Sequence, residues 1–260
     1  MRSDQVDYQR AAYDDHYPKM AAAVREQLAH PLLSSFYDRL AELVLDGVAD
    51  RAPGPVRALE AGCGEGLLAA AVQRVAARRR VDLRYTGSDL STAGIELARA
   101  AVSGDFVHGE AVEIVSGLPA GGVDLIWAKN LLHHLEDPAA FLRAALRAVG
   151  PTGRVVVVEP RMWCPMHWVN LMWFRQERFQ FLGYRRTARA MAASGGRVVS
   201  TREFGWLPYE LLLATRLAAP RRLFGMGPGP ALDRISAVDA RLTARLPDLA
   251  LYMVTVLAPG

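Results

Sequence analysis

The chain has little cysteine, almost no lysine and no long apolar run, and each shortage removes a class of protein. Its 260 residues include two cysteines, Cys63 and Cys164, too few for a disulfide framework. No cluster of Cys, His and acidic residues has metal-ligand spacing. No basic start leads into an apolar core at the N-terminus, and no uninterrupted apolar stretch could cross a bilayer. The expectation is a cytoplasmic protein. Only Lys19 and Lys129 are lysine among 31 basic residues. With so much alanine alongside, the net charge of +4 and the pI near 9.3 reflect a compositional bias toward arginine, and no nucleic-acid partner is expected. At 51% apolar residues the chain can bury a substantial core as one large domain, or one domain with an elaborated cap.

What is present centres on Leu59-Glu60-Ala61-Gly62-Cys63-Gly64-Glu65-Gly66-Leu67. A short apolar run precedes it and an Ala- and Leu-rich segment follows, so it occupies a strand-to-helix turn, where α/β sheets hold ligands. A dinucleotide fingerprint would require a small residue at 67, which is Leu, and a Walker loop would need Gly-Lys-Ser/Thr. Glu60 would repel a pyrophosphate and suits a ligand with positive charge.

The first 50 residues have a helical pattern interrupted at Pro18 and at His30-Pro31, with Leu32, Leu33, Phe36, Leu40, Leu43 and Val44 spaced to pack on a sheet. Beyond the glycine turn, a helix over 67–77 ends in Arg78-Arg79-Arg80, read as a solvated helix end. A strand over 82–90 leads to Ser91, a helix N-cap. Asp89 follows the glycines by the interval at which α/β nucleotide sites place an acid against ribose hydroxyls, the alternative being a surface acid near a helix start. A strand over 105–109 precedes Glu110, which either accepts from an adenine-like amino group or is a solvated loop acid. Residues 122–128 predict a buried strand, running directly into Lys129-Asn130-Leu131-Leu132-His133-His134-Leu135. Asp137-Pro138 then opens a helix that stops at Gly150, and Val155 to Val158 is the β-branched run of a central parallel strand.

The order and motifs resemble the class I S-adenosylmethionine-dependent methyltransferases, in particular the small-molecule branch of ubiquinone-type and natural-product enzymes. The resemblance rests on the glycine turn, Gly87-Ser88-Asp89-Leu90-Ser91, Gly109-Glu110-Ala111, Val123-Asp124-Leu125-Ile126 with Leu132-His133-His134-Leu135, and Pro151-Thr152-Gly153-Arg154. Glu110 stands where the family more often has Asp, and Thr152 where Gly is usual. The resemblance implies an α/β Rossmann-like sheet of seven strands in the order 3-2-1-4-5-7-6, the last antiparallel, with helices on both faces. It also implies a helical cap over 1–50 and a methyltransferase domain over 51–260, with insertions at about 161–195 and 208–248. The implied cofactor is S-adenosyl-L-methionine and the product S-adenosyl-L-homocysteine. Gly62, Cys63 and Gly64 would pass the methionine part, with Glu60 toward its cationic end. Asp89 would hold the ribose diol, with Leu90, Glu110 and Ala111 around adenine. Lys129 and Asn130 would back the sulfonium, and Tyr17 would add a contact from the N-terminal region. His134 or His133 is expected as a base or acceptor-orienting group, with packing or turn formation as the alternative.

Beyond residue 160, Met162 to Phe174 is dense in Met and Trp, and arginines follow it. Three readings stand: a core helix, a lid over an apolar or aromatic acceptor contributed by Trp163, His167, Trp168 and Trp173, or a membrane-surface contact. A helix through 192, a strand over 197–204, helices broken at Pro220 and at 225–230, and a closing strand over 250–257 complete the chain. The function expected is methyl transfer to a small, apolar or aromatic molecule. The alternatives are a cofactor-binding relative catalysing a non-methylating rearrangement, or a nucleic-acid or protein methyltransferase. No Asn-Pro-Pro-Tyr-like stretch follows the fourth strand to hold a flipped base.

Overall fold

The computed structural model describes residues 6–15, 17, 31–48, 54–161, 164, 181–205 and 230–260. Seven strands form one sheet: β1 (Val56–Ala61), β2 (Leu83–Asp89), β3 (Asp105–His108), β4 (Leu125–Lys129), β5 (Arg154–Pro160), β6 (Arg197–Phe204) and β7 (Tyr252–Ala258). Their order is β3-β2-β1-β4-β5-β7-β6. Strands β1 to β5 pair in parallel, and β7 runs antiparallel to both β5 and β6. This is the predicted order with the predicted reversal. Strand order turns back between β1 and β4, which opens a crevice at their C-terminal ends.

The central strands are apolar on both sides because helices cover both faces. In β4, Leu125 and Trp127 enter one core, and Ile126 and Ala128 the other. In β5, Val156 and Val158 alternate with Val155 and Val157 in the same way. The first face is covered by α1 (Pro31–Asp46) and α2 (Leu67–Arg79), the second by α4 (Ala111–Gly117), α5 (Pro138–Val149) and α6 (Phe181–Ala193). Helix α3 (Thr92–Ala101) packs beside β2 and β3, while α7 (Pro230–Arg245) reaches α1 through an Asp239–Arg39 ion pair of 3.1 Å.

Local chemistry sets the helix boundaries. The Ser91 hydroxyl accepts from Gly94 N at 3.1 Å to start α3, and Asp137 accepts from Ala140 N at 2.9 Å to start α5, with Pro138 in its first turn. Two expectations need correction. Strand β4 begins at Leu125 rather than Gly122, because Gly122 N bonds back to Pro119 O and the Asp124 carboxylate turns to Arg57, accepting from its backbone N at 2.8 Å and its guanidinium at 3.0 and 3.1 Å. Nor do Arg78 and Arg79 simply end a helix in solvent. Asp38, Glu42 and Asp46 recur every fourth residue on α1, so they line the face beside α2. Arg74 and Arg78 pair with Asp38, and Arg79 pairs with Glu42 and Asp46. Such exposed pairs contribute little energy singly, about 0–1 kcal/mol, but they set how the two helices lie together.

Phe141 is fully buried in the second core, whereas Asp137 is an exposed cap. Phe141→Ala is therefore expected to lose about 3–5 kcal/mol, and Asp137→Ala about 1 kcal/mol, in denaturant unfolding. Equal losses from the two would refute this division between core and cap.

Candidate active site

The glycine turn leaves β1 and is held down by β2. Ser88 O accepts from both Gly62 N and Cys63 N at 2.8 Å. Asp89 then bridges two elements: Oδ2 accepts from Gly64 N and Oδ1 from Ser91 N, each at 2.8 Å. Gly64 has φ +49°, the left-handed region that favours glycine, and this conformation turns its N–H toward Asp89. Burial pushes the Asp89 carboxyl up, against the lowering effect of the Ser91, Gly64 and Leu90 amides and of His108. A carboxylate offers roughly four acceptor sites, so both oxygens retain capacity for a ligand's hydroxyls. Gly66 serves packing instead. A Cβ there would stand 2.7 Å from Val102 Cγ2 and 3.2 Å from the Ala98 backbone, so α3 can approach the turn only because residue 66 is glycine.

Glu60 lies beneath this turn, 2% exposed, with its Oε2 accepting from the Tyr85 hydroxyl at 2.9 Å. Burial raises its pKa to about 8, offset in part by the Tyr85 hydroxyl, the Trp127 indole and Lys129. Lys129 follows Leu125 and Trp127 on the same side of β4, and its ammonium lies over the rings of Tyr37 and Tyr252, 5.5 and 5.1 Å from their centroids. Burial also pushes up the Cys63 thiol, with Glu60 and Asp89 adding to the effect, so it is no nucleophile at neutral pH. Glu110 is engaged locally as the cap of α4, accepting from Glu113 N at 3.0 Å, with Ala111 the first residue of that helix. Leu90 closes the β2 side, its carbonyl 3.0 Å from His108 Nε2.

The loop after β4 turns sharply at Asn130, a non-glycine residue with φ +54°. Its backbone N donates to Val158 O at 2.9 Å, while its side-chain Oδ1 is buried without a hydrogen-bond partner among the described residues. An orphaned buried acceptor costs on the order of 1–3 kcal/mol. The next residues are tied to the end of β5. Glu159 Oε1 accepts from Leu131 N at 2.9 Å and Leu132 N at 2.8 Å, and Oε2 lies 2.5 Å from His133 Nδ1. The His134 ring is 4.2 Å from that of His133, centroid to centroid. Its pKa is lowered by burial first and by His133 second, so it is neutral at pH 7.

A helical segment over residues 6–15 covers these loops. Gln9 Nε2 donates to His134 O at 3.3 Å, and the Tyr13 hydroxyl lies 3.3 and 3.2 Å from the His134 ring nitrogens. Asp14 Oδ1 accepts from the Ser91 hydroxyl at 2.6 Å and from Ala93 N at 3.3 Å. Tyr17 stacks on Tyr13 and is wedged between two glycines, its hydroxyl 2.9 Å from where a Gly64 Cβ would stand and its ring 3.0 Å from one on Gly94. Burial and then Asp89 push its phenol well above the usual range.

The structure thus gathers Tyr17, Glu60, Gly62, Cys63, Gly64, Asp89, Leu90, Lys129, Asn130, His133 and His134 around the ends of β1, β2 and β4. Glu110 and Ala111 stand at the end of the neighbouring β3. Trp163, His167, Trp168 and Trp173 lie outside the described residues. Sequence reasoning passed over Asp14, Tyr13 and Glu159. The clue for Glu159 was an acid closing an otherwise apolar strand. Asp14 and Tyr13 gave no clue beyond a tyrosine-rich helical stretch. Among the described residues no three His, Cys, Asp or Glu side chains could hold a metal ion, and no helix is long and apolar enough to cross a membrane.

Comparison with known proteins agrees with this architecture. Residues 59–157 match the family model described as a methyltransferase domain. A ubiquinone biosynthesis O-methyltransferase from Sodalis glossinidius is 33% identical over 119 residues, 44% of this chain and 45% of the relative, so the match spans less than half of that protein's length. Among solved structures, the [4+2]-cyclase SpnF superposes with a TM-score of 0.54 at 21% identity, covering 85% of this chain and 81% of that one. The geranyl diphosphate C-methyltransferase of Streptomyces coelicolor A3(2) gives 0.54 at 19% identity, covering 85% and 79%. At these identities the two structures speak for the fold. Residues 59–157, which carry the glycine turn, Asp89 and the loop after β4, thus match a methyltransferase domain, and the seven-stranded sheet shares the fold of the two solved structures.

Proposed function

We propose that the protein binds S-adenosylmethionine in the β1/β2/β4 crevice and transfers its methyl group to a small apolar or aromatic acceptor. The observation that carries this reading is the doubly braced Asp89 carboxylate at the end of β2 together with the orphaned Asn130 amide oxygen just past the end of β4, on either side of β1. The first suits vicinal ribose hydroxyls. The second suits a donor such as an α-ammonium or an amino group. Glu60 adds an acid close by, and none of the chemistry of a phosphate cradle is needed.

When bound, the cofactor would supply an electrophilic methyl carbon on a sulfonium, with the carbon–sulfur electron pair left on sulfur after transfer to an acceptor lone pair. The residues of this chain hold and orient the reactants, which can account for much of the rate. The N-terminal segment, through Tyr13, Asp14 and Tyr17, keeps water from the crevice. His134, neutral at pH 7 and half-buried beneath Tyr13, is placed to take the proton of an acceptor that arrives protonated. The likeness to ubiquinone biosynthesis O-methyltransferases supports a small-molecule acceptor, and the likeness to a [4+2]-cyclase keeps a non-methylating rearrangement as the second reading. Incubating the protein with a cell extract and methyl-labelled cofactor separates them. Label appearing in a small molecule, with S-adenosylhomocysteine released, supports transfer; cofactor binding with no label transferred to any fraction sinks it.

Two binding measurements follow. Asp89→Ala should weaken S-adenosylhomocysteine binding by about 1–3 kcal/mol in calorimetry, as expected for ligand hydroxyls left unpaired; an unchanged affinity would remove Asp89 from the site. Glu60, with its pKa raised to about 8, is mostly protonated at pH 7 in the free protein. A cation arriving beside it favours the carboxylate, so S-adenosylmethionine binding at pH 7 should release a proton, and the release should fade above pH 9 and in Glu60→Gln. Calorimetry in buffers of different ionisation enthalpy reads this directly, and equal proton counts in wild type and Glu60→Gln would place Glu60 away from the ligand's charge.

A further inference from the structure

The methyltransferase reading gives the acceptor's proton to His134 and leaves its neighbour His133 without a role, which the end of β5 supplies. Glu159 is buried, as is His133. Its two oxygens are spent on one loop, Oε1 on the amides of Leu131 and Leu132 and Oε2 on His133 Nδ1. Because β5 is fixed in the sheet beside β4, this carboxylate transmits the position of a rigid strand to a loop that leaves β4 through a left-handed residue. We propose that Glu159 is a positioning residue for methyl transfer: it clamps the loop after β4 and engages His133 by Nδ1, leaving His134 as the imidazole that serves the acceptor.

The proposal rests on the reading of the crevice given above. The carboxylate opposite Nδ1 requires a proton on that nitrogen and favours His133 as the imidazolium, which makes a buried, hydrogen-bonded ion pair. An imidazolium 4.2 Å from the His134 ring disfavours a second positive charge there. Among the described residues, the polar and titratable groups facing His134 include His133 from its own loop and Tyr13 and Gln9 from the N-terminal segment, with Glu159 one residue removed behind His133. In the transfer step the acceptor's X–H bond breaks, its electron pair stays on X to form the bond to the methyl carbon, and the proton passes to a His134 ring nitrogen. His133 neither gains nor loses a proton.

The two histidines can be followed by long-range proton–nitrogen NMR of the imidazoles, assigned with His133→Gln and His134→Gln variants. In the wild type at pH 7, His133 should carry protons on both ring nitrogens and His134 on one. In Glu159→Gln, His133 should become neutral at pH 7 and the His134 midpoint should rise. Transfer of label from methyl-labelled S-adenosylmethionine into extract acceptors should fall at least tenfold at pH 7, with the acidic limb of the pH profile displaced upward. Binding of S-adenosylhomocysteine should stay within about twofold of wild type. A neutral His133 lacking an Nδ1 proton in the wild type overturns the proposal even if Glu159→Gln does not fold. Unchanged histidine midpoints and an unchanged pH profile in a folded Glu159→Gln overturn it as well. If wild type neither binds S-adenosylhomocysteine nor transfers label, the methyltransferase reading fails separately, because the histidine spectra are read without any ligand.

Discussion

The crevice depends on a single buried carboxylate with two backbone partners. Asp89 ends β2 and joins Gly64 of the glycine turn to Ser91 at the start of α3, each at 2.8 Å. Two amides that a turn and a helix start would otherwise leave unpaired are satisfied by one side chain, and in return they compensate the burial of its charge. The consequence is geometric. The turn, the strand end and the helix N-terminus cannot shift independently, so any ligand hydroxyl that meets Asp89 meets a surface already in place. The same residue indirectly fixes the N-terminal segment, since Ser91, held by Asp89 through its backbone, donates its hydroxyl to Asp14.

A second carboxylate repeats this arrangement across the switch point. Glu159 stands one residue before the end of β5 as Asp89 ends β2; Glu159 spends both oxygens on the loop after β4, and Asp89 spends one on the turn after β1 and one on the start of α3. In both cases an acid at the C-terminal end of a parallel strand braces the stretch that follows a different strand. The two loops so braced, after β1 and after β4, are the walls of the crevice. The N-terminal segment touches both, through Tyr17 at Gly64 and Tyr13 at His134, which is why residues remote in sequence close over one opening.

Much of the fold was legible because its signals are local or periodic. The continuous β-branched run at 155–158 has no polar face, so it had to be a strand covered on both sides. Ser91, Asp137 and Gly150 mark helix ends with side chains and backbone that act within a few residues. The start of β4 is not legible in the sequence because Asp124 is claimed by Arg57 on the neighbouring strand, and the pairing of Arg78 and Arg79 is not legible because their partners are on α1, 33 to 40 residues earlier in the chain.

The sequence by itself carried the site of the crevice through its glycine spacing, which fits neither a dinucleotide fingerprint nor a Walker loop, and it carried the strand order only through its resemblance to a known family. Only the tertiary structure decided what the acids and histidines do to one another. Sequence spacing cannot show that Glu60 is buried on Tyr85 with its proton held to about pH 8, nor that His133 belongs to Glu159 and His134 to Tyr13. Those pairings join residues 25 to 121 positions apart, and they set protonation through burial and charge at distances of a few ångströms, quantities that exist only once the chain has folded.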